Sequence, residues 1–436
     1  MENNEGKISS GSDLTSKPGD QDPGFGTNGQ IRSGLAKVFT ELATGTDQKF
    51  YLVRNADDNT LDPHPASISR HLADGRFDPD FNNGESLILP QMMDKEDIGG
   101  ANIYIQGMVF DQRGAVTCVG HTTASGRDYS HHYPAALRLT SSGTIDADFG
   151  DKGRVVYLIG TPSKNAPPVN HFPFASTRRS QQQENGDILF LSQILDYDTQ
   201  MLSCYLVKTN QNGVPDGQFG ENGLLLIGSD AQGPIWTDYG VDGSGNLLVI
   251  GRSKAGAQAS GVVTKYTAEG LLDTSYGSGG IQQIEGGEEP PYPIQVHVMA
   301  DGKITMLVAV SRQYDTPLAL MKRLENGAPD TSFNNGEPLV LETVFAARGL
   351  RWPELNIDGE GRYLLAGYSG ETGWDLRRFT PSGGLDSSFG ENGRVGYPDL
   401  LSLYSTAVHR HADLLARVSR RGNDTYTYVV RYLGEG

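Results

Sequence analysis

Leu385–Gly393 reads LDSSFGENG, and the chain repeats this stretch, with small changes, seven times. In every copy an Asp stands three residues before an aromatic residue, and a Gly stands four residues after it in five copies and three residues after it in the other two, Gly84 and Gly336. The aromatic residues lie 56, 68, 70, 57, 57 and 56 residues apart and are Phe25, Phe81, Phe149, Phe219, Tyr276, Phe333 and Phe389. Such regular spacing indicates a repeat architecture in which each copy belongs to one structural unit.

Each part of the motif has a local structural reason. The Asp is expected to accept hydrogen bonds from the backbone N–H groups that follow it, as in an Asx turn. The aromatic residue supplies a large apolar anchor, and the closing Gly permits a positive φ angle. A short apolar run such as Leu224–Ile227 comes next. The motif is therefore predicted to be a turn that leads into a strand.

The pattern resembles the delta-60 repeat family, bacterial proteins whose unit of roughly sixty residues carries the signature LDxxFGxxG. The most similar copies are Leu272–Gly277 and Leu385–Gly390, while Asn82 and Asn334 replace the first Gly in two units. Asn tolerates left-handed backbone, so the turn is expected to persist there. The resemblance covers Asp22–Gly436 and implies a β-propeller-like fold, but it implies no reaction.

The fourth unit shows the order of elements most clearly. After the motif strand come the runs Ile235–Val241, Leu247–Gly251 and Gly261–Tyr266, separated by turns that contain Gly, Asp and Asn. Four short strands per unit and seven units predict an all-β fold, a seven-bladed β-propeller of four-stranded blades. An open spiral solenoid is the competing architecture.

The N- and C-terminal strands are predicted to close the ring. A basic residue stands five positions before a turn Gly in each unit, and in six units the motif Asp follows it by eight positions. The seventh pair, Arg431 and Gly436, ends the chain before that Asp, and the N-terminus offers the continuation from Asp22. Because unpaired sheet edges promote aggregation, Gln30–Arg32 is expected to pair with strands between Ala407 and Leu433.

Composition narrows the classes of function. With 53 acidic and 36 basic side chains the net charge is −17, which argues against nucleic acid or an anionic membrane as partner. No apolar window is long enough to span a bilayer, and residues 1–21 lack the apolar segment of a signal peptide. That polar stretch is interpreted as a disordered leader before one propeller domain, 22–436. A cytoplasmic monomer is the default expectation, and export without a signal peptide stays open.

Residues that commonly bind metals or act as nucleophiles form no specific signature. Cys118 and Cys204 lie in apolar runs of different units and are expected to be buried, reduced thiols. Asp-rich turns such as Asp242–Asn246 faintly resemble calcium loops but lack their spacing. Two histidine groups lack the further ligands that a metal site requires, namely Asp128 with His131 and His132, and His409 with His411. No cofactor is expected, with calcium or another metal as the open alternative.

Features that occur in every unit are interpreted as scaffold, so function is expected where the repeat is broken. The motif Asp and the basic residue before it are interpreted as a surface or rim ion pair. Units two and three carry insertions, Pro90–Gly100 and Gly160–Ser176, in the same connection, which Gly286–Pro293 occupies in unit five. These loops are expected to project from one face of the ring, and loops on a rigid scaffold commonly bind ligands.

Aromatic residues collect at the end of this connection. The predicted ligand-binding residues are Trp236, Trp352, Tyr104, Tyr292, His171 and Phe172. Such rings suit stacking on a sugar or anchoring a peptide, whereas packing between blades is the structural alternative.

Three functions are weighed. The leading hypothesis is a non-catalytic binding scaffold that recognises a protein or carbohydrate partner through one loop-rich face. No catalytic motif is present, so an enzyme is the less favoured reading. The alternative is a propeller hydrolase or lyase acting at the channel mouth, for which His171, Asp238 and Glu354 would have to converge. A structural or secreted-effector component is the third reading.

Overall fold

The chain forms a seven-bladed β-propeller, as predicted. Each blade is a four-stranded antiparallel sheet, and blades 5 and 6 are joined by one bridge between Phe345 and Tyr368. The computed structural model describes residues 17–35, 40–45, 47–55, 65–92, 102–126, 129–159, 180–183, 185–196, 201–229, 235–253, 260–285, 291–299, 301–310, 317–345, 353–369, 373–397, 400–409, 413–420 and 423–434.

Within each blade the strand nearest the central channel comes first in the chain and the others follow outward. Blade 7 differs only in its outermost strand, which comes from the N-terminus. In chain order the strands are β1 (Gln30–Leu35) of blade 7; β2 (Thr40–Thr44), β3 (Phe50–Arg54), β4 (Ser67–His71) and β5 (Leu87–Ile88) of blade 1; β6 (Ile103–Phe110), β7 (Val116–Gly126), β8 (Tyr129–Leu139) and β9 (Arg154–Val156) of blade 2; β10 (Ser180–Gln182), β11 (Ile188–Asp196), β12 (Met201–Thr209) and β13 (Leu224–Ser229) of blade 3; β14 (Ile235–Val241), β15 (Leu247–Arg252), β16 (Gly261–Tyr266) and β17 (Ile281–Gln283) of blade 4; β18 (Tyr292–Val298), β19 (Ile304–Ala309), β20 (Pro317–Arg323) and β21 (Leu339–Phe345) of blade 5; β22 (Glu354–Ile357), β23 (Tyr363–Ser369), β24 (Gly373–Phe379) and β25 (Arg394–Tyr397) of blade 6; and β26 (Leu400–Val408), β27 (Leu414–Arg420) and β28 (Asn423–Tyr432) of blade 7.

The repeated motif forms the predicted turn in all seven copies. Oδ1 of each motif Asp accepts a hydrogen bond of 2.8–3.3 Å from the backbone N–H two residues later. The closing Gly has a φ angle between +78° and +95° in every copy. Asn82 and Asn334 also take positive φ, and each begins a one-turn 3₁₀-helix. The Asn copies therefore keep the turn, as expected.

The motif aromatic residue is the contact between neighbouring blades. Phe81 lies against Gly143, the turn Gly of the next unit, where an added Cβ would come within 3.1 Å of its ring. The residue after Phe81 donates its backbone N–H to Ser142 O at 2.9 Å. Phe149, Phe219 and Phe333 pack in the same way against Gly213, Gly270 and Gly383. In these four units the motif ring therefore lies beneath the turn of the neighbouring blade.

The repeated basic residue is buried, so its interpretation as a surface or rim partner was wrong. Arg70 is representative: it pairs with Asp78 at 2.6 Å, and its guanidinium lies 5.0 Å from the Phe81 ring centroid. It also donates to Ser141 O in the next unit at 2.7 Å. The side chains of Arg138, Arg378 and Arg431 make equivalent contacts. One cation thus joins its own motif to the following blade, and that blade covers it.

The termini close the ring as predicted, and closure extends further upstream than Asp22. Strand β1 pairs with β28, with Gln30 opposite Val430, and Asp22 forms an ion pair with Arg431. Residues 17–21, which the sequence analysis assigned to the leader, also contact blades 6 and 7. Pro18 O accepts the N–H of Gly390 at 2.8 Å, and Gly19 N–H donates to Leu433 O at 2.7 Å.

Both cysteines, Cys118 and Cys204, are buried free thiols, as predicted. Burial raises the pKa of Cys118 to about 12, so its thiol stays protonated at neutral pH. Within the described part of the chain, no helix has the length and apolar character needed to cross a bilayer.

Candidate functional site

Trp236 lies in the interior, between blades 3 and 4. Its side chain is 1% exposed and packs with Leu191 of blade 3 and Leu247 of blade 4. The indole N–H donates to Ile227 O, and Gln193 donates to Trp236 O at 2.8 Å. The ring therefore fills a gap between blades and offers no exposed face in this structure.

Tyr104 and Tyr292 occupy equivalent positions at the start of their inner strands, and both are half-buried. They stand one residue earlier in the strand register than Trp236, so they face the opposite side of the sheet. Tyr104 stacks on His121 with 5.1 Å between centroids, and Arg252 lies 5.7 Å from the Tyr292 ring centroid. Burial lowers the pKa of His121 to about 4, which keeps that imidazole neutral near pH 7.

Several residues singled out from the sequence lie outside the described residues. They are Trp352, His171, Phe172, Asp128 and His411, together with residues 93–100 and 160–176 of the two insertions. Among the residues that are described, no three His, Cys, Asp or Glu side chains are grouped as metal ligands.

The inner strands share one register, which identifies equivalent positions around the channel. Paired residues of the first and second strands can be counted from the turn that joins these strands. The first-strand residue of the fourth pair is Glu41 in blade 1, Asp238 in blade 4 and Glu354 in blade 6. The same position holds Gly107, Gln295 and Ser405 in blades 2, 5 and 7. These residues lie at one level of the ring and are called the ring position below.

Side chains at the ring position connect neighbouring blades. Asp238 accepts a hydrogen bond from the backbone N–H of Val296 at 2.9 Å. Gln295 accepts one from Leu355 at 2.9 Å, and Glu354 accepts one from Thr406 at 2.5 Å. Each donor lies one residue beyond the ring position of the next blade. This contact recurs in three successive blades and is therefore part of the scaffold.

Glu354 also makes a contact with the side chain of its donor residue. Its Oε2 accepts a hydrogen bond from Thr406 Oγ1 at 2.7 Å as well as the backbone bond. Thr406 Oγ1 in turn accepts from Asn356 Nδ2 at 2.7 Å. Because Asn356 donates to the hydroxyl oxygen, the hydroxyl proton is directed to the carboxylate. Oε1 of Glu354 has no hydrogen-bond partner among the described residues, and the side chain is half-buried.

His297 lies next to this group, on blade 5. Its Nε2 is 2.9 Å from Leu355 O and 3.3 Å from the amide nitrogen of Gln295. The imidazole nitrogen can donate to the carbonyl or accept from the amide, but it cannot do both. The shorter contact favours the tautomer with the proton on Nε2. The residues Gln295, His297, Glu354, Asn356 and Thr406 form what is called the inner-wall site below.

The structure does not bring the three residues of the alternative hypothesis to one centre. Asp238 binds between blades 4 and 5, whereas Glu354 binds between blades 6 and 7, and His171 lies outside the described residues. Asn356 and Thr406 were missed by sequence reasoning because they lie 50 residues apart in different blades. Counting back along the sequence from the turn after each first strand would have aligned Glu354 with Asp238 and Gln295. It could not show that the Thr406 hydroxyl donates to Glu354.

Neither protein-family models nor curated proteins match the chain, whereas solved structures do. Prolyl oligopeptidase B from Galerina marginata, bound to a 35-residue substrate, is 12% identical over 93% of this chain and 49% of that chain, with a TM-score of 0.50. A puromycin hydrolase is 14% identical over 93% and 53%, with a TM-score of 0.48. An α-L-arabinofuranosidase from Fusarium graminearum is 10% identical over 81% and 97%, with a TM-score of 0.44.

At these identities the similarity is one of fold, and the chain spans about half the length of the first two proteins. All three are nonetheless hydrolases by name. The prediction of a non-catalytic binding scaffold is contradicted by this result, because the propellers that resemble the chain belong to hydrolytic enzymes.

Proposed function

We propose that this chain is a β-propeller hydrolase whose reaction takes place at the inner-wall site, with Glu354 as the proton-transfer group. The observation that supports this proposal is that the two oxygens of the Glu354 carboxylate have different surroundings. Oε2 is held by two hydrogen bonds from Thr406, whereas Oε1 is left without a partner among the described residues. A carboxylate fixed through one oxygen presents the other in a defined direction.

Hydrolysis needs such a group. Cleaving a glycosidic, ester or amide bond requires a proton for the leaving group or removal of one from the attacking water. A positioned carboxylate can do either, and it typically contributes a factor of about 10²–10⁴ to the rate. The bond from Thr406 Oγ1 holds Oε2 in place, so either proton-transfer role would fall to Oε1.

Two neighbouring groups support the same assignment. Asn356 orients the Thr406 hydroxyl from the same strand as Glu354. His297 binds the carbonyl of Leu355, the residue that separates Glu354 from Asn356. The names of the similar structures, an oligopeptidase, a puromycin hydrolase and an arabinofuranosidase, agree with a hydrolytic role.

Substitution of Glu354→Gln tests the proposal with little structural cost. Blade 5 already has Gln295 at the ring position, where its amide oxygen accepts the equivalent backbone bond. The variant should therefore fold normally while it loses the proton-transfer group. We expect kcat/KM to fall by about 10²–10⁴-fold. Activity would be followed with chromogenic glycosides and peptide p-nitroanilides.

Glu391→Gln is the matched control, because Glu391 is exposed in a motif turn and lies outside the inner-wall site. It should keep the wild-type rate and the wild-type melting temperature. The proposal fails if Glu354→Gln retains the wild-type kcat/KM on a substrate that the wild-type chain hydrolyses. It also fails if the wild-type chain hydrolyses none of these substrates.

Membership of the delta-60 repeat family remains a proposal as well. Its support is the seven motif copies, each of which builds the same Asx turn.

A further inference from the structure

The inner-wall site combines one carboxylate with neutral polar groups. Its strands β18, β22 and β26 read YPIQVHV, ELNI and LLSLYSTAV, and none of them contains Lys or Arg. Glu354 is their one acidic residue. The third strands of the blades differ, because each carries the buried cation that pairs with an acid. The propeller therefore keeps these cations away from the strands of the site.

Two acceptor oxygens belong to side chains on one face of β22. Glu354 and Asn356 stand two residues apart on β22, so their side chains share one face of the strand. Both reach Thr406, which confirms that they point the same way. Oε1 of Glu354 and Oδ1 of Asn356 make no hydrogen bond to the described residues. Such a pair requires a ligand that donates hydrogen bonds.

Hydroxyl groups on adjacent carbons meet that requirement. A hydroxyl donates to an acceptor such as Asn356 Oδ1 and still accepts from a neighbouring donor. A carboxylate, phosphate or sulfate on the ligand has no proton to donate and would face the Glu354 charge without a compensating cation on these strands. The chain's net charge of −17 adds to that repulsion.

We infer that the substrate of the inner-wall site is a neutral carbohydrate. This inference rests on the proposed function and deepens it by naming the substrate class. The half-buried ring of Tyr292 begins β18, one strand of the site, and that of Tyr104 lies near the start of β6; aromatic rings suit the apolar faces of sugars. Arg252 lies over the Tyr292 ring and is a cation that an anionic substrate could use instead.

The test is a panel of chromogenic substrates, in which the glycosides and the phosphate all release p-nitrophenol. Neutral members are the arabinofuranoside, galactoside, glucoside, mannoside and xyloside; charged members are the glucuronide, the sialoside and the phosphate, with peptide p-nitroanilides as a third group. We expect the best neutral glycoside to exceed every charged member at least 100-fold in kcat/KM. A preference for a charged member or for a peptide would overturn the inference and leave the hydrolase proposal standing.

Binding separates the two proposals when no substrate is cleaved. Isothermal titration of the wild-type chain with neutral oligosaccharides, and with the same sugars carrying a uronic acid, reports on recognition with the Glu354 charge in place. Binding of the neutral set without cleavage would support the inference while the hydrolase proposal fails. The absence of both binding and cleavage would overturn both.

Discussion

Deletion of residues 1–35 is expected to abolish cooperative folding of the propeller. The segment supplies β1, the outermost strand of blade 7, and Phe25, whose ring is 0% exposed. It also supplies Asp22, the partner of the buried Arg431. Losing a fully buried Phe costs about 3–5 kcal/mol. Breaking a buried ion pair costs about as much again. Together these losses approach the total stability of an ordinary domain, about 5–15 kcal/mol.

Deletion of residues 1–16 is the matched control, because it keeps β1, Phe25 and Asp22. Thermal unfolding followed by circular dichroism, together with size-exclusion chromatography, would compare the two deletions with the full chain. We expect the shorter deletion to melt like the full chain and the longer one to show no cooperative transition. A longer deletion that melts within a few degrees of the full chain would contradict closure of the ring by the N-terminal strand.

Replacement of Arg378→Ala is expected to lower the free energy of unfolding by about 3–5 kcal/mol, the usual cost of breaking a buried ion pair. Arg378 is 1% exposed and donates to Asp386 at 2.7 Å and to Ser388 at 2.8 Å. It also donates to Gly434 O in the next blade and lies over the Phe389 ring. Burial raises the pKa of Asp386, but bonds from Ser388 and Arg378 outweigh it and lower the pKa. Arg378→Ala would remove the bond from Arg378 to Asp386 and leave the bond from Ser388.

Arg76→Ala is the exposed counterpart of this substitution. The Arg76 side chain is 75% exposed and pairs with Asp74 at 2.7 Å, so we expect a loss of about 0–1 kcal/mol. Arg378→Lys should fall between the two, because Lys208 and Lys265 occupy the equivalent position in other blades. Urea denaturation would provide the three free energies. Equal losses for Arg76→Ala and Arg378→Ala would mean that burial of the cation contributes nothing.

The sequence predicted those parts of the fold that depend on local chemistry. The Asp, aromatic and Gly positions of the motif each had a reason within a few residues, and spacing alone indicated seven units and the closing contact of Gln30 with the C-terminal strand. The burial of Arg378 could not be read in this way. It depends on the carbonyl of Gly434, which belongs to another blade.

The candidate site was less predictable than the fold. Trp236 and Tyr292 stand one register position apart, and that difference alone places the first ring inside and the second at half exposure. Glu354 was singled out in the alternative hypothesis, but its partner Thr406 comes from a strand 52 residues later. Proximity between inner strands follows from the ring geometry, and no local pattern in the sequence encodes it.

The most direct measurement is a crystal structure of the Glu354→Gln variant with a neutral p-nitrophenyl glycoside bound. The proposed function and the inference of a neutral carbohydrate together predict the scissile glycosidic oxygen, or the water aligned with it, within about 2.6–3.2 Å of the side chain at position 354. They also predict a sugar hydroxyl donating to Asn356. A glycoside bound on the outer strands or at the motif turns, with the inner wall empty, would contradict them.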